Sequence, residues 1–319
     1  MKFIGNAVNS FIGRYQERLG IAQSRRIAKC YNGIRYRSRQ RRAVEAWGSD
    51  RDALLAENDD DFSGTPRNIM KDGWTIDRSG SLPRLEETLA EADRLIEDRG
   101  GVDRRGTPLE QKSYLFHLND VADLHDYPKL LQLPTSSEVI ATVSKYMGLI
   151  HVMSRTLPKG VRVFESTDRF NEETEFGDSQ LYHRDIHDLP LVYVMVLVSD
   201  ATEDNGPWCF LPASVSDVAS EKLNYQSKGA PYRVTDERMY EVVDSSERIT
   251  FTGKRGDVLF IDSSRCFHYG SRKAVIPGYR LMYAFTTHCR ADFTQLMFEW
   301  EYPVRDEDSR LRKMVLGST

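Results

Sequence analysis

Residues 182–198 read Tyr-His-Arg-Asp-Ile-His-Asp-Leu-Pro-Leu-Val-Tyr-Val-Met-Val-Leu-Val. The second half, Leu191 to Val198, shows no alternation of polar and apolar positions and is too short for a buried helix. It predicts a strand covered on both faces, as in a sandwich or barrel. The first half places a histidine and an aspartate two residues apart, just before that strand. In an extended segment, residues i and i+2 project from one face, so His183 and Asp185 can present an imidazole and a carboxylate to the same point.

Working outward from this stretch, short runs of strand character recur from Gly148 onward. They are His151–Met153, Val161–Glu165, Leu191–Ser199, Trp208–Leu211, Ile249–Thr252, Val258–Ile261 and Tyr279–Thr287, with Asn205-Gly206 and Pro277-Gly278 as turn signals. This spacing predicts an all-β core. Upstream the period changes to helical. Leu85, Leu89, Ala92 and Leu95 share one face over Leu82–Arg99, and Val139, Ile140, Val143 and Met147 share one face over Ser136–Met147.

The chain has 319 residues, with 44 Lys and Arg against 48 Asp and Glu, for a net charge of −4. That balance excludes a generally basic nucleic-acid binder. At 40% apolar and 10% aromatic residues, the chain has material for a large core and is not a disordered sequence. Its four cysteines (Cys30, Cys209, Cys266, Cys289) are far apart and form no CxxC pair, so neither a disulfide scaffold nor a zinc ribbon is indicated. No run reaches the roughly 20 apolar residues of a membrane-spanning helix, and the start, Met-Lys-Phe-Ile-Gly, lacks a signal-peptide pattern. A cytoplasmic location is the expectation.

The charge is unevenly placed. Residues 1–51 hold 12 Lys and Arg and 3 Asp and Glu, a net of +9, which leaves −13 on the rest. Within this basic arm Ile4, Val8, Phe11, Ile12, Tyr15 and Leu19 follow a helical period. Such a helix packs on the body, lies on an anionic membrane surface or docks on a partner protein. Residues 52–66, with Asp59, Asp60 and Asp61 before Ser63-Gly64-Thr65-Pro66, read as an acidic linker. The expected organisation is therefore an arm (1–51), a linker (52–66) and one domain (67–319).

Three neighbourhoods can carry chemistry: His183-Arg184-Asp185, His268 in Cys266-Phe267-His268-Tyr269-Gly270, and Arg280 at the start of an apolar strand. Two histidines and one carboxylate are the set that binds Fe(II) on one octahedral face and leaves three positions open. Taken singly, each signal has a bland reading: HxD pairs arise by chance, and a lone histidine at a strand end is usually structural. The chain has no HExxH, no GxxxxGK[ST] loop, and no asparagine after His183-Arg184-Asp185 where the kinase motif needs one.

Taken together, these pieces resemble the phytanoyl-CoA dioxygenase family of Fe(II)/2-oxoglutarate oxygenases. The resemblance runs through Tyr182-His183-Arg184-Asp185, Asp204-Asn205-Gly206-Pro207-Trp208 with Leu211-Pro212-Ala213-Ser214, Gly256-Asp257-Val258-Leu259-Phe260-Ile261-Asp262, His268 and Arg280. It implies an α+β, mainly β fold: a double-stranded β-helix (jelly-roll, cupin-like) core with flanking N-terminal helices. It also implies that His183, Asp185 and His268 hold iron and that Arg280 grips the distal carboxylate of 2-oxoglutarate, with O2 as the other co-substrate. Guanidinium suits that task because it offers two parallel donors to a carboxylate.

Arg272 is the alternative to Arg280, and it lies in the polar loop Ser271-Arg272-Lys273. Where some such oxygenases carry a hydroxyl two residues after the arginine, this chain has Met282, which leaves Tyr193 or Thr286 as substitutes. Tyr182, His187 and Tyr193 are candidates for the substrate mouth or for support of the ligands. Asp185 bears on the reaction too, since related halogenases have a small residue there; its presence implies hydroxylation of a small-molecule, lipid or glycan substrate. A co-substrate-free jelly-roll metalloenzyme and a non-catalytic interaction protein are the competing readings.

Overall fold

The computed structural model describes residues 18–59, 62–100, 114–167 and 176–318. Its helices are α1 (Ile21–Arg35), α2 (Arg37–Ser49), α3 (Arg51–Asn58), α4 (Leu85–Arg99), α5 (Ser137–Met147), α6 (Ala213–Lys222), α7 (Asp236–Tyr240) and α8 (Arg310–Val315). Its strands are β1 (Trp74–Asp77), β2 (Leu115–His117), β3 (Val152–Met153), β4 (Val161–Ser166), β5 (Val192–Leu197), β6 (Trp208–Phe210), β7 (Ile249–Phe251), β8 (Val258–Asp262), β9 (His268–Tyr269) and β10 (Gly278–Thr286). All seven strands expected from sequence are present, most within a residue or two of their expected ends. The short strands β1, β2 and β9 lie outside those seven runs.

A seven-stranded antiparallel sheet has the order β1-β8-β5-β10-β4-β2, with β3 pairing on β10 beyond β4, and a second sheet has the order β7-β6-β9. The two sheets enclose Tyr193, Met195, Leu197, Trp208, Phe210 and Leu259 as an inner cluster. On the outer face of the large sheet, Val192, Val194, Val196, Phe260, Leu281 and Tyr283 join α2 to α5 in a larger cluster. This explains the unbroken apolar run of β5: odd residues enter the barrel and even residues meet the helices. Helix α5 supplies much of that cover, being buried from Ser137 to Ser144, and it ends at Gly148, whose φ of 72° is the left-handed conformation of a C-terminal cap.

The segment read as a linker is in large part helix. Helix α3 occupies residues 51–58, and its Leu54 and Leu55 are buried in the main cluster beside Ala43 and Ala46 of α2. Only the acidic face was visible locally, because two adjacent leucines in eight residues give no periodic signal until the core that receives them exists. Asn58 fastens the helix end by donating to the Thr135 carbonyl (3.0 Å) and the Ser137 hydroxyl (3.1 Å).

The described part of the basic arm is likewise docked. Arg25 donates to the Asp188 carbonyl (2.8 Å) and Gln226 (3.0 Å), Lys29 pairs with Asp188 (2.7 Å), and Asn32 donates to the carbonyls of Arg290 and Asp292. The amphipathic pattern from Ile4 lies almost wholly outside the described residues. No helix among the described residues is long and apolar enough to cross a membrane. Since Leu55 is 1% exposed, Leu55→Ala should cost about 2–5 kcal/mol of stability in a denaturant titration, whereas a residue in a true linker would cost almost nothing.

Candidate metal centre

The centre begins with a pair of backbone hydrogen bonds. The His183 N–H donates to the His268 carbonyl (3.1 Å) and the His268 N–H donates to the His183 carbonyl (2.9 Å), so the two residues form a single antiparallel bridge. His268 belongs to β9, which pairs with β6, so the bridge adds residues 182 and 183 to the edge of the small sheet. Opposed residues in such a pair send side chains to the same face, and the two imidazole rings lie 4.3 Å apart. Asp185 is set by a different element: its N–H donates to the Ser263 carbonyl (2.9 Å), just beyond β8 of the large sheet.

Each imidazole is oriented through its Nδ1, which lies 2.8 Å from the Leu181 carbonyl in His183 and 2.9 Å from the Cys266 carbonyl in His268. The carbonyl fixes the tautomer and leaves Nε2 as the lone-pair donor. Burial pushes both imidazoles down, well below the usual range in His183, so they are neutral at physiological pH. Burial alone would raise Asp185, and it is positive charge at His268 and His183 that holds the carboxyl below the usual range; with neutral imidazoles that charge would have to come from a bound cation. Asp185 Oδ2 lies 3.7 Å from His268 Nε2 and is a buried oxygen with no hydrogen-bond partner. One donor atom from each of the three residues falls within 4.8 Å of the others. Two neutral imidazoles and an orphaned carboxylate oxygen fit a divalent metal of the Fe(II) type.

The three residues line a cavity of about 760 Å³ that also receives Arg280, Trp208, Tyr193 and His187. Arg280 projects inward from β10 and is 8% exposed. It donates to the hydroxyls of Ser166 and Ser271 and has no carboxylate partner; burial lowers its pKa to about 10. Trp208 packs edge-on against His268 with ring centroids 4.8 Å apart, and its indole N–H is buried without a partner. The cavity thus holds a cation and a donor that nothing in the described protein satisfies.

The alternative arginine is elsewhere. Arg272 forks onto both oxygens of Asp236 (2.8 and 2.9 Å), donates to the Gln180 carbonyl and stacks 3.4 Å from the Tyr269 ring centroid. Its donors are committed to fastening α7 and the segment before the metal ligands, and it does not line the cavity. Tyr182 also points away. As the neighbour of His183 in an extended pair it takes the opposite face, fully buried with Tyr269 and Tyr240, and its hydroxyl lies 2.9 Å from that of Tyr240. It fills a third apolar cluster and touches neither metal nor cavity.

His187 does reach the cavity, but not by continuation of a strand, since pairing stops at His183. Its Nδ1 lies 2.7 Å from Asp292, which Arg290 also holds. Tyr193 lines the wall from β5, where burial and then Asp185 push its phenol up and keep it protonated. Of the two hydroxyls considered in place of Met282, it is Tyr193 that enters this cavity; Thr286 lines a separate one. Sequence reasoning gave no role to Trp208, Ser166, Ser271 or Arg162. For Arg162 a signal existed: Val161 and Val163 face the helices, so an arginine between them occupies an inward position of the barrel.

The family model for phytanoyl-CoA dioxygenase (PhyH) matches residues 86–273, more than half of the chain and including all three metal-site residues. The chain belongs to the phytanoyl-CoA dioxygenase family. It is therefore an iron- and 2-oxoglutarate-dependent oxygenase that uses O2, and the co-substrate-free and non-catalytic readings fall away.

Among solved structures it is similar to EctD from S. alaskensis with 2-oxoglutarate and 5-hydroxyectoine (15% identity, 75% of this chain and 76% of that chain, TM-score 0.45). It is also similar to the epimerase SnoN in complex with Fe3+, alpha ketoglutarate and nogalamycin RO (14%, 82% and 98%, 0.45). A third is the carbocyclase SnoK from nogalamycin biosynthesis (13%, 83% and 96%, 0.45). No curated protein matches the chain in sequence at a significant level. Because the Tyr182 hydroxyl pairs with that of Tyr240, away from the cavity, Tyr182→Phe should lose about 1 kcal/mol of stability and leave Fe(II) affinity, read by anaerobic titration, unchanged.

Proposed function

We propose that this chain hydroxylates a small-molecule substrate, with Fe(II) held by His183, Asp185 and His268 and the distal carboxylate of 2-oxoglutarate held by Arg280. The observation that carries the reading is the presence, in one cavity, of an orphaned Asp185 oxygen between two imidazoles and a buried guanidinium without a counter-ion. A divalent metal held by the three side chains would answer the first need, and the distal carboxylate of 2-oxoglutarate would answer the second by pairing with Arg280. The hydroxyls of Ser166 and Ser271 hold the guanidinium in place from one side. The unpartnered Trp208 N–H offers a further donor beside His268.

Bound iron supplies the oxidative chemistry, in which 2-oxoglutarate is oxidised to succinate and CO2 while one oxygen atom of O2 enters succinate and the other enters a C–H bond of the substrate. The protein's part is positional. It presents three donors on one face, keeps both imidazoles neutral, and encloses the reaction in a barrel lined by Tyr193, Trp208, Met195 and Met282. With iron bound, the Asp185 carboxylate would stand where a halide would have to bind, which favours hydroxylation as the outcome.

Residues 67–319 supply every proposed site residue, while α2 and α3 act as a buttress on the outside of the large sheet and α1 fastens the loop at Asp188. The face of α1 that carries Arg25, Lys29 and Asn32 is committed to Asp188, Arg290 and Asp292, so any contact of the basic arm with an anionic membrane surface or a partner protein would use other residues, such as the exposed Arg37, Arg39 and Arg42 of α2.

Removing either the metal donors or the arginine should separate the two roles. His183→Ala is expected to abolish Fe(II) binding in an anaerobic titration; undiminished binding defeats the metal assignment. Arg280→Leu should retain Fe(II) and weaken 2-oxoglutarate about 100-fold, the equivalent of roughly 3 kcal/mol for two charge-assisted hydrogen bonds. Arg272→Leu should destabilise the fold while changing 2-oxoglutarate affinity little. Turnover under 18O2 with release of succinate and a labelled product checks hydroxylation itself.

A further inference from the structure

A second guanidinium stands in the same cavity without a counter-charge. Arg162 projects inward from β4, opposite Met282 in the β4–β10 register. Its Nη2 lies 2.9 Å from the Met282 thioether, a weak acceptor, and its Nε is buried with no partner. The guanidinium carbon sits 5.2 Å from the Phe164 ring centroid and 5.1 Å from that of Tyr193. Among the described residues no carboxylate comes within ion-pair distance of it. The other cations of the cavity wall differ in this respect: Arg99 pairs with Asp123, Lys159 with Asp120 and Arg233 with Asp178.

Charge balance then points outside the protein. With Fe(II), Asp185, doubly charged 2-oxoglutarate and Arg280 in place, the centre sums to zero, and Arg162 is left as one uncompensated positive charge. A partly buried cation beside an apolar wall costs free energy unless an anion joins it. The position is also suited to substrate, since Tyr193 lies between Arg162 and Asp185 and so separates the cation from the metal ligands by about one ring.

We propose that Arg162 anchors an anionic group, a carboxylate or a phosphate, on the substrate oxidised at this centre. The substrate is then an amphipathic acid whose head pairs with Arg162 and whose body lies along Phe164, Met195 and Met282 toward the iron. This assignment rests on the co-substrate reading of Arg280, and its test separates the two.

The test is anaerobic calorimetry on the enzyme loaded with Fe(II) and 2-oxoglutarate, using hexanoate, hexyl phosphate, hexanamide and hexylamine as probes. The wild type should bind at least one anion tenfold or more tightly than hexanamide, and hexylamine least; hexanoate against hexyl phosphate tells the two head groups apart. Arg162→Gln should lower anion affinity at least tenfold, keep hexanamide within twofold, and leave the affinity for 2-oxoglutarate within twofold. Arg162→Lys should recover part of the anion binding, which also guards against misfolding of the first variant.

Hexanamide binding as tightly as both anions, failure of both anions to bind, or an unaltered anion preference in Arg162→Gln overturns the proposal. A tenfold loss of 2-oxoglutarate affinity in Arg162→Gln would instead assign Arg162 to the co-substrate and overturn it too. If 2-oxoglutarate does not bind the wild type, the reading of Arg280 falls. The anion preference is then decided with Fe(II) alone.

Discussion

The reciprocal hydrogen bonds between His183 and His268 are the constraint on which this site depends. They bring together two residues 85 positions apart, force their side chains to one face, and leave each Nδ1 facing a carbonyl two residues back. One bridge thereby sets the spacing and the direction of two candidate metal donors at once. Asp185 joins them from the large sheet, so the candidate ligands span both sheets of the barrel, and the cluster exists only when the sheets are packed as they are.

The interior of the barrel is apolar except where it is needed otherwise. Odd residues of β5 and even residues of β4 and β10 point inward, and most are aromatic or aliphatic. Against that background Arg162 and Arg280 are conspicuous, because an unpaired guanidinium in a partly dry cavity is unstable until an anion arrives. Electrostatics therefore selects what can enter. The candidate metal centre is common to the family, so the arrangement of positive charge across the cavity is where the proposed substrate preference would reside.

The outer layer has a supporting part. Helices α2 to α5 bury the outward face of the large sheet, and α1 reaches the loop after the candidate metal ligands through Arg25 and Lys29, both of which engage Asp188. Segments that look like appendages by charge, residues 18–51 and 51–58, are in the structure part of the same body. Net charge describes the solvent face of a helix, while two or three buried residues on the other face decide whether it docks.

By itself the sequence determined the class of chemistry and most of the architecture. The unbroken apolar run of β5 required a strand covered on both sides, and His183, Asp185, His268 and Arg280 could be singled out as candidates because residue type and spacing are properties of the chain; the fold brings all four to one cavity. The tertiary structure decided which way each side chain faces. Arg272 and Arg280 are equivalent on paper, yet one is saturated by Asp236 and the other opens into the cavity. Tyr182 lies beside a ligand in sequence and across the sheet from it in space. Orientation depends on partners contributed by distant segments, and no local pattern contains those partners until the sheets close.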